Sequence, residues 1–278
     1  MREILHISDI HFGPKHQPSR SSAVLALIEE RAPDLVVISG DLTQRAKPRQ
    51  FREAREFVDR IGPPTLAVPG NHDVPMYRFW ERLFAQYGAY RKHFSPELEP
   101  LFEDEELFVL GINSAFNFTH KHGRVTRRRL LEVESALMAA PAEKTRIVVI
   151  HHELVPARDY GTRRALRNAR RALAVFERAG VAFVLSGHLH QAFIARPGDY
   201  YPELDGAPLQ VFTGTTTSSR GRGRERGRNT LNWVTVGDGR FLVETLTWDD
   251  GHRGFVEERR SQFPLAGGRA TIGWATTD

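Results

Sequence analysis

The sequence predicts an α/β fold, a two-sheet β-sandwich flanked by helices in a four-layer αββα order, and three features point to it. Five short, continuous apolar runs at 4–7, 35–38, 65–68, 147–150 and 182–185 read as strands covered on both faces. Amphipathic helical patterns separate them, as crossover connections between parallel strands require. After Gln210 the rhythm changes to strands alone, at 209–213, 231–236, 241–247 and 254–259, with a Gly-Asp-Gly turn at 237–239. This antiparallel meander is expected to complete a second sheet.

Between the first two runs a helix is expected to begin near Ser21 or Ser22, with Val24, Leu25, Leu27 and Ile28 on one face. Phe51, Ala54, Phe57, Val58 and Ile61 repeat that spacing before the third run. Further helices are expected around 74–92, 127–139 and 163–178, with another strand at 108–112. No internal repeat and no Pro/Gly/Ser linker divides the chain, so residues 1–261 read as one domain and 262–278 as a C-terminal tail, expected to be mobile.

Of 278 residues, 40% are hydrophobic and 26% charged, a balance that can bury a core without crosslinks. There is no cysteine, which removes disulfides, thiolate metal sites and a cysteine nucleophile together, so any metal must be held by oxygen and nitrogen. The first residues run straight into an apolar stretch without the regions of a signal peptide, and no run reaches transmembrane length. A cytoplasmic location is therefore expected. The net charge of +5 comes from 39 basic against 34 acidic residues spread along the chain, and hints at an anionic partner. Nearly all the basic residues are arginine, which suits bidentate phosphate recognition, although biased codon usage explains it equally well.

The apolar runs end in polar residues: Asp9-Ile10-His11, Gly40-Asp41, Gly70-Asn71-His72-Asp73, His151-His152 and Gly187-His188-Leu189-His190. Sites in parallel α/β sheets form outside the carboxyl ends of strands, so five such endings are expected to converge on one rim. Alternation along extended backbone would point Asp9 and His11 the same way, and likewise His188 and His190. The glycines at 40, 70 and 187 precede ligand candidates, where backbone can approach an ion closely. An isolated Asp-x-His is usually a strand end or turn; five such fragments in order, each closing an apolar run, are not readily a coincidence.

In these five blocks the chain resembles the calcineurin-like metallophosphoesterase superfamily, whose pattern reads D-x-H, G-D, G-N-H-D/E, H and G-H-x-H. The blocks span residues 9 to 190. Size and the PGNHD and SGHLHQ segments look most like the bacterial cyclic-nucleotide phosphodiesterase-like group. The resemblance implies two divalent transition-metal ions, one held by Asp9, His11, Asp41 and His190 and the other by Asp41, Asn71, His151 and His188, with Asp41 bridging. Mixed imidazole, carboxylate and amide donors suit manganese, iron, zinc or cobalt better than magnesium. Such a pair can generate hydroxide and clamp phosphate oxygens during displacement.

His72 would face substrate as general acid, with Asp73 orienting its ring. His152 reads as a supporting or structural histidine. Arg220, Arg222 and Arg224 could reach a phosphate, although a solvated loop accounts for most of them; Arg158, Arg163, Arg164, Arg167, Arg170 and Arg171 read as a wet helix face. Phe116, Phe118 and His120 to His122 could wall the pocket, with loop packing the plainer reading.

The expected function is thus a phosphodiesterase acting on a small phosphoester such as a cyclic nucleotide. A phosphomonoesterase or nuclease is the alternative, nucleic acid being disfavoured because no aromatic-interleaved basic tract occurs. The different-class alternative is a non-catalytic, metal-binding interaction scaffold.

Overall fold

The computed structural model describes residues 1–76, 78–116, 122–156, 165–221, 227–266 and 269–270. The elements run β1 (Arg2–Ile7), α1 (Pro18–Arg31), β2 (Leu35–Ile38), α2 (Pro48–Val58), β3 (Thr65–Ala67), α3 (Phe79–Phe84), α4 (Gly88–His93), β4 (Leu101–Glu103), β5 (Leu107–Ile112), α5 (Arg127–Ala139), β6 (Thr145–Ile150), α6 (Ala169–Arg178), β7 (Val181–Ser186), β8 (Phe193–Ala195), β9 (Leu209–Phe212), β10 (Thr230–Gly237), β11 (Arg240–Asp249), β12 (Gly254–Ala266) and β13 (Arg269–Ala270). Single 3-10 turns lie at Asn71–Asp73, Pro197–Asp199 and Pro202–Leu204.

Two sheets form, ordered β13-β12-β11-β10-β1-β2-β3 and β4-β5-β6-β7-β9-β8. Ile4, Leu35, Val37, Leu66, Val109, Ile147, Val149, Phe183, Leu185, Val211 and Val234 share one buried cluster, the interior of the sandwich. Their neighbours Leu5, Ile7, Val36 and Ile38 pack instead with Val24, Ile28, Phe51 and Phe57 of α1 and α2. On the second sheet Val148, Ile150 and Val184 pack with Leu130, Val133, Leu173 and Phe176 of α5 and α6. Burial on both faces explains why the parallel strands read as unbroken apolar runs.

Four expectations need correction. The meander completes the first sheet: β10 pairs antiparallel with β1, whereas β9 pairs parallel with β7. Hydrophobic pattern specifies a buried strand but not its partner, so the chain's crossing between sheets after Phe212 was invisible in sequence. The helix expected over 74–92 is two short ones, α3 and α4, and Trp80 and Phe84 of α3 are exposed rather than part of a buried face. Helix α1 starts at Pro18, whose fixed φ suits a first helical position, and Ser21 instead bonds His16 through its hydroxyl at 2.7 Å. Finally, the boundary drawn at 262 falls inside β12, which pairs with β11 as far as Pro264. Residues 271–278 lie outside the described residues.

Candidate metal centre

The first sheet delivers its polar residues where β1 and β2 end. The parallel ladder continues past the strands, Asp9 N–H donating to the Gly40 carbonyl at 3.0 Å and His11 N–H to that of Asp41 at 2.9 Å. Beyond Ile7 and Ser186 the backbone does not alternate as expected. Asp9, His11, Asp41, His188 and His190 all have positive φ, from 52° to 67°. Their common direction therefore comes from left-handed turns, a conformation costly for residues with a Cβ and concentrated at functional sites. Gly40, at φ 106°, is needed twice over, since a Cβ there would stand 2.5 Å from His151 Nδ1.

One carboxylate oxygen of Asp9, Oδ2, accepts from the His188 N–H at 3.0 Å and the Ser8 hydroxyl at 2.8 Å, which ties the two sheets together. The other, Oδ1, lies 3.1 Å from His190 Nε2 and 3.6 Å from His11 Nε2. Potential ligand atoms of Asp9, His11, Asp41 and His190 lie within 4.8 Å of one another. A second convergence surrounds His151 Nε2, with Asn71 Oδ1 and His188 Nδ1 each at 3.3 Å and Asp41 Oδ1 at 3.4 Å. Asp41 belongs to both groups.

The donor chemistry fits cations. Carbonyl oxygens only accept, so the contacts of His11 Nδ1 with Thr43, of His151 Nδ1 with Ser39 and of His190 Nδ1 with Arg220 assign a proton to each outer nitrogen. With a proton on the outer nitrogen, the inner nitrogen of each ring is the one that would offer a lone pair to a cation. Asp9 Oδ1 and Asp41 Oδ2 are buried with no hydrogen-bond partner among the described residues, an arrangement costly unless a cation is coordinated there.

Burial opposes ionisation of Asp41, yet His151, His72 and His11 together hold its pKa well below the usual carboxylate value. Burial likewise opposes the charge on His151, but Asp41 overrides it and pushes that histidine up to about 10, a sign of how strongly the centre attracts positive charge.

His72 N–H donates to Asp41 Oδ1 at 2.8 Å, and its ring lies 5.0 Å from that of His11. Its Nδ1 donates to the Gln44 carbonyl at 2.9 Å. Asp73 does not orient this ring, contrary to expectation. Its carboxylate accepts from the N–H groups of Leu42, Thr43 and Gly70 and from the Thr43 hydroxyl, so it fastens the Asp41 turn to the Asn71 turn. Two residues without an expected role, Glu153 and Ser114, also appear, beside the supporting His152. Glu153 stands 3.5 Å from His188 Nε2, Ser114 bonds His152 Nδ1 at 2.7 Å, and His152 groups with His151 and His188 within 4.8 Å. The His-His-Glu sequence was the only available signal for Glu153, and Ser114 had none.

A family model for calcineurin-like phosphoesterases matches residues 2–192, more than half the chain. The chain belongs to that family. This phosphoesterase is thus a metal-dependent phosphoric ester hydrolase. It is 28% identical over 209 residues to a probable cyclic nucleotide phosphodiesterase of Synechococcus, covering 70% of this chain and 76% of the relative. It is also 28% identical over 199 residues to the 3′,5′-cyclic adenosine monophosphate phosphodiesterase of Escherichia coli, covering 68% and 69%. Among solved structures, a purple acid phosphatase from yellow lupin has the same fold, with TM-score 0.73 at 12% identity over 95% of this chain and 54% of the other.

The two basic stretches of the phosphoesterase fare differently. Arg220 lies at the centre, its Nη2 3.3 Å from His72 Nε2 and its Nη1 3.5 Å from His72 Nδ1. Arg222 and Arg224 lie outside the described residues, as do Arg158, Arg163 and Arg164. Arg170 pairs with Glu203 at 3.5 Å, while Arg167 and Arg171 join Arg124 and Arg127 around a cavity of about 290 Å³. Phe116 packs under Arg124, His122 is exposed, and Phe118, His120 and Lys121 lie outside the described residues. No helix among the described residues is long and apolar enough to cross a membrane.

Proposed function

We propose that this phosphoesterase is a dinuclear phosphodiesterase whose substrates include 3′,5′-cyclic nucleotides. The observation that carries the reading is the pair of four-residue donor sets sharing Asp41, with an imidazole at their edge. Asp9, His11, Asp41 and His190 would hold one ion; Asp41, Asn71, His151 and His188 the other, with His152 packed behind His188. Manganese, iron, zinc and cobalt all suit these nitrogen and oxygen donors. When bound, two such ions supply Lewis acidity and lower the pKa of a water.

The chain's own contributions follow from its hydrogen bonds. Each outer imidazole proton given to a carbonyl fixes the ring and makes the inner nitrogen the better donor. His72 has Nδ1 committed to Gln44, so a proton for a leaving oxygen has to be carried on Nε2, where it would replace the contact with Arg220 Nη2 at 3.3 Å. Burial, with Arg220 adding to it, lowers the His72 pKa, which eases release of that proton. The relatives named as cyclic nucleotide phosphodiesterases support the choice of diester.

Reconstitution with Mn²⁺, Fe²⁺, Co²⁺ or Zn²⁺ should give turnover of bis(p-nitrophenyl) phosphate and 3′,5′-cyclic AMP. A protein that binds two ions yet turns over no diester would reject this reading in favour of the scaffold.

A further inference from the structure

We propose that Arg220 binds the substrate phosphate, and that it gives this site a second activity, hydrolysis of the phosphomonoester left by diester cleavage. The proposal rests on the phosphodiesterase reading above, whose site it shares.

Arg220 owes its place to the backbone on either side of the rim. The chain crosses there from β9 to β10, and the crossing segment is tied to the loop after β1. Thr216 N–H donates to the Ser8 carbonyl at 3.0 Å, the Thr217 hydroxyl to that of Ile10 at 3.1 Å, and Ser219 N–H to that of Lys15 at 3.0 Å. Arg220 itself accepts from His190 Nδ1 at 2.9 Å through its carbonyl. The root of this side chain is therefore one hydrogen bond from the candidate ligand set. Its two terminal nitrogens lie beside the two ring nitrogens of His72, whose ring in turn meets that of His11. His72 Nδ1 already donates to Gln44, so His72 Nε2 is the ring atom that accepts from the guanidinium.

A cation fixed there matters unequally to the two ester classes. A diester carries one negative charge and two non-bridging oxygens; its first product is a monoester dianion with three. A guanidinium fork matches a pair of phosphate oxygens and gains more from the dianion. In the second step a water oxygen forms a bond to phosphorus and the bond from phosphorus to the ester oxygen breaks. That oxygen leaves with a proton as the alcohol, giving inorganic phosphate without any redox partner.

The test compares the wild type with Arg220→Met and Arg220→Lys after reconstitution. Metal content is measured first and should be unchanged, because His190 is held by the backbone carbonyl. Wild type should release two p-nitrophenolates from each bis(p-nitrophenyl) phosphate. In Arg220→Met, kcat/KM on p-nitrophenyl phosphate should fall at least about tenfold more than on the diester, the worth of one charge-assisted hydrogen bond. Calorimetric affinity for inorganic phosphate should weaken by a similar factor, with Arg220→Lys recovering part of it. Equal losses on both esters, unchanged phosphate affinity, or a wild type that stops after one p-nitrophenolate would each overturn the proposal. Absence of turnover on either ester by the two-ion protein would sink the phosphodiesterase reading, and phosphate affinity would still decide whether Arg220 binds the anion.

Discussion

The two donor groups at the rim share Asp41 but differ in charge. The group of Asp9, His11, Asp41 and His190 contains two carboxylates, each with a buried oxygen lacking a hydrogen-bond partner among the described residues. The group of Asn71, His151 and His188 has no carboxylate of its own and borrows its negative charge from Asp41. Hard divalent charge is better compensated in the first, so the two positions should differ in affinity although the same bridging residue serves both. Two donor groups can thus share a carboxylate and the same rim of the sandwich without being equivalent.

Removing the shared residue tests the comparison most severely. Asp41→Ala should lose both ions and fall to background turnover, whereas Asp9→Asn should preferentially empty the first position; elemental analysis separates the two. Two tightly bound ions in Asp41→Ala would refute the shared carboxylate.

His72 belongs to neither group, so His72→Ala should keep its metal while turnover slows by roughly 10²–10⁴, the usual range for losing a general acid. The deficit should shrink for p-nitrophenolate, which scarcely needs protonation. Equal deficits on good and poor leaving groups would assign His72 to positioning alone.

A smaller effect should sharpen the difference between groups. Glu153 faces the outer nitrogen of His188. Glu153→Gln should weaken metal binding at the second position by about 10–100-fold and spare the first. Metal titration showing equal weakening at both would mean that the groups are not energetically separate.

The smallest expected change lies beneath both. His6 is wholly buried, its Nε2 2.9 Å from the Ser39 hydroxyl, and the Ser39 carbonyl holds His151. Burial pushes its pKa down to about 3 from 6.5, so the folded chain keeps it neutral while the unfolded chain protonates it. Its contribution is complete above about pH 6.5 and is lost on the way down to about 3, at roughly 1.4 kcal/mol per pH unit. His6→Gln should therefore be less stable at pH 7.5 by about 1–3 kcal/mol, with a gap that narrows toward pH 5. Urea denaturation at the two pH values measures it; a constant gap would contradict a neutral buried His6.

How far the sequence reaches can be judged from particular residues. Strand β2 and helix α5 were legible to the residue, since a doubly buried run and an amphipathic stripe are local patterns. The convergence of Asp9, His11, Asp41, Asn71, His151, His188 and His190 at one rim was legible because each lies just past an apolar run. Asp73 was found but given the wrong task, because the four donors around it come from residues 42, 43 and 70 and have no signature at its own position.

By itself, the sequence determined which strands are buried on both faces, which side chains stand at their ends, and that nitrogen and oxygen alone can serve as ligands. These follow from periodicity and composition, which every folded form of the chain must respect. Tertiary structure decided which sheet receives the meander, that left-handed backbone rather than strand alternation aims the donors, and which of the many arginines stands beside His72. Those outcomes depend on pairings between segments as distant as Ser8 and Thr216, or His72 and Arg220, and local pattern carries no record of them.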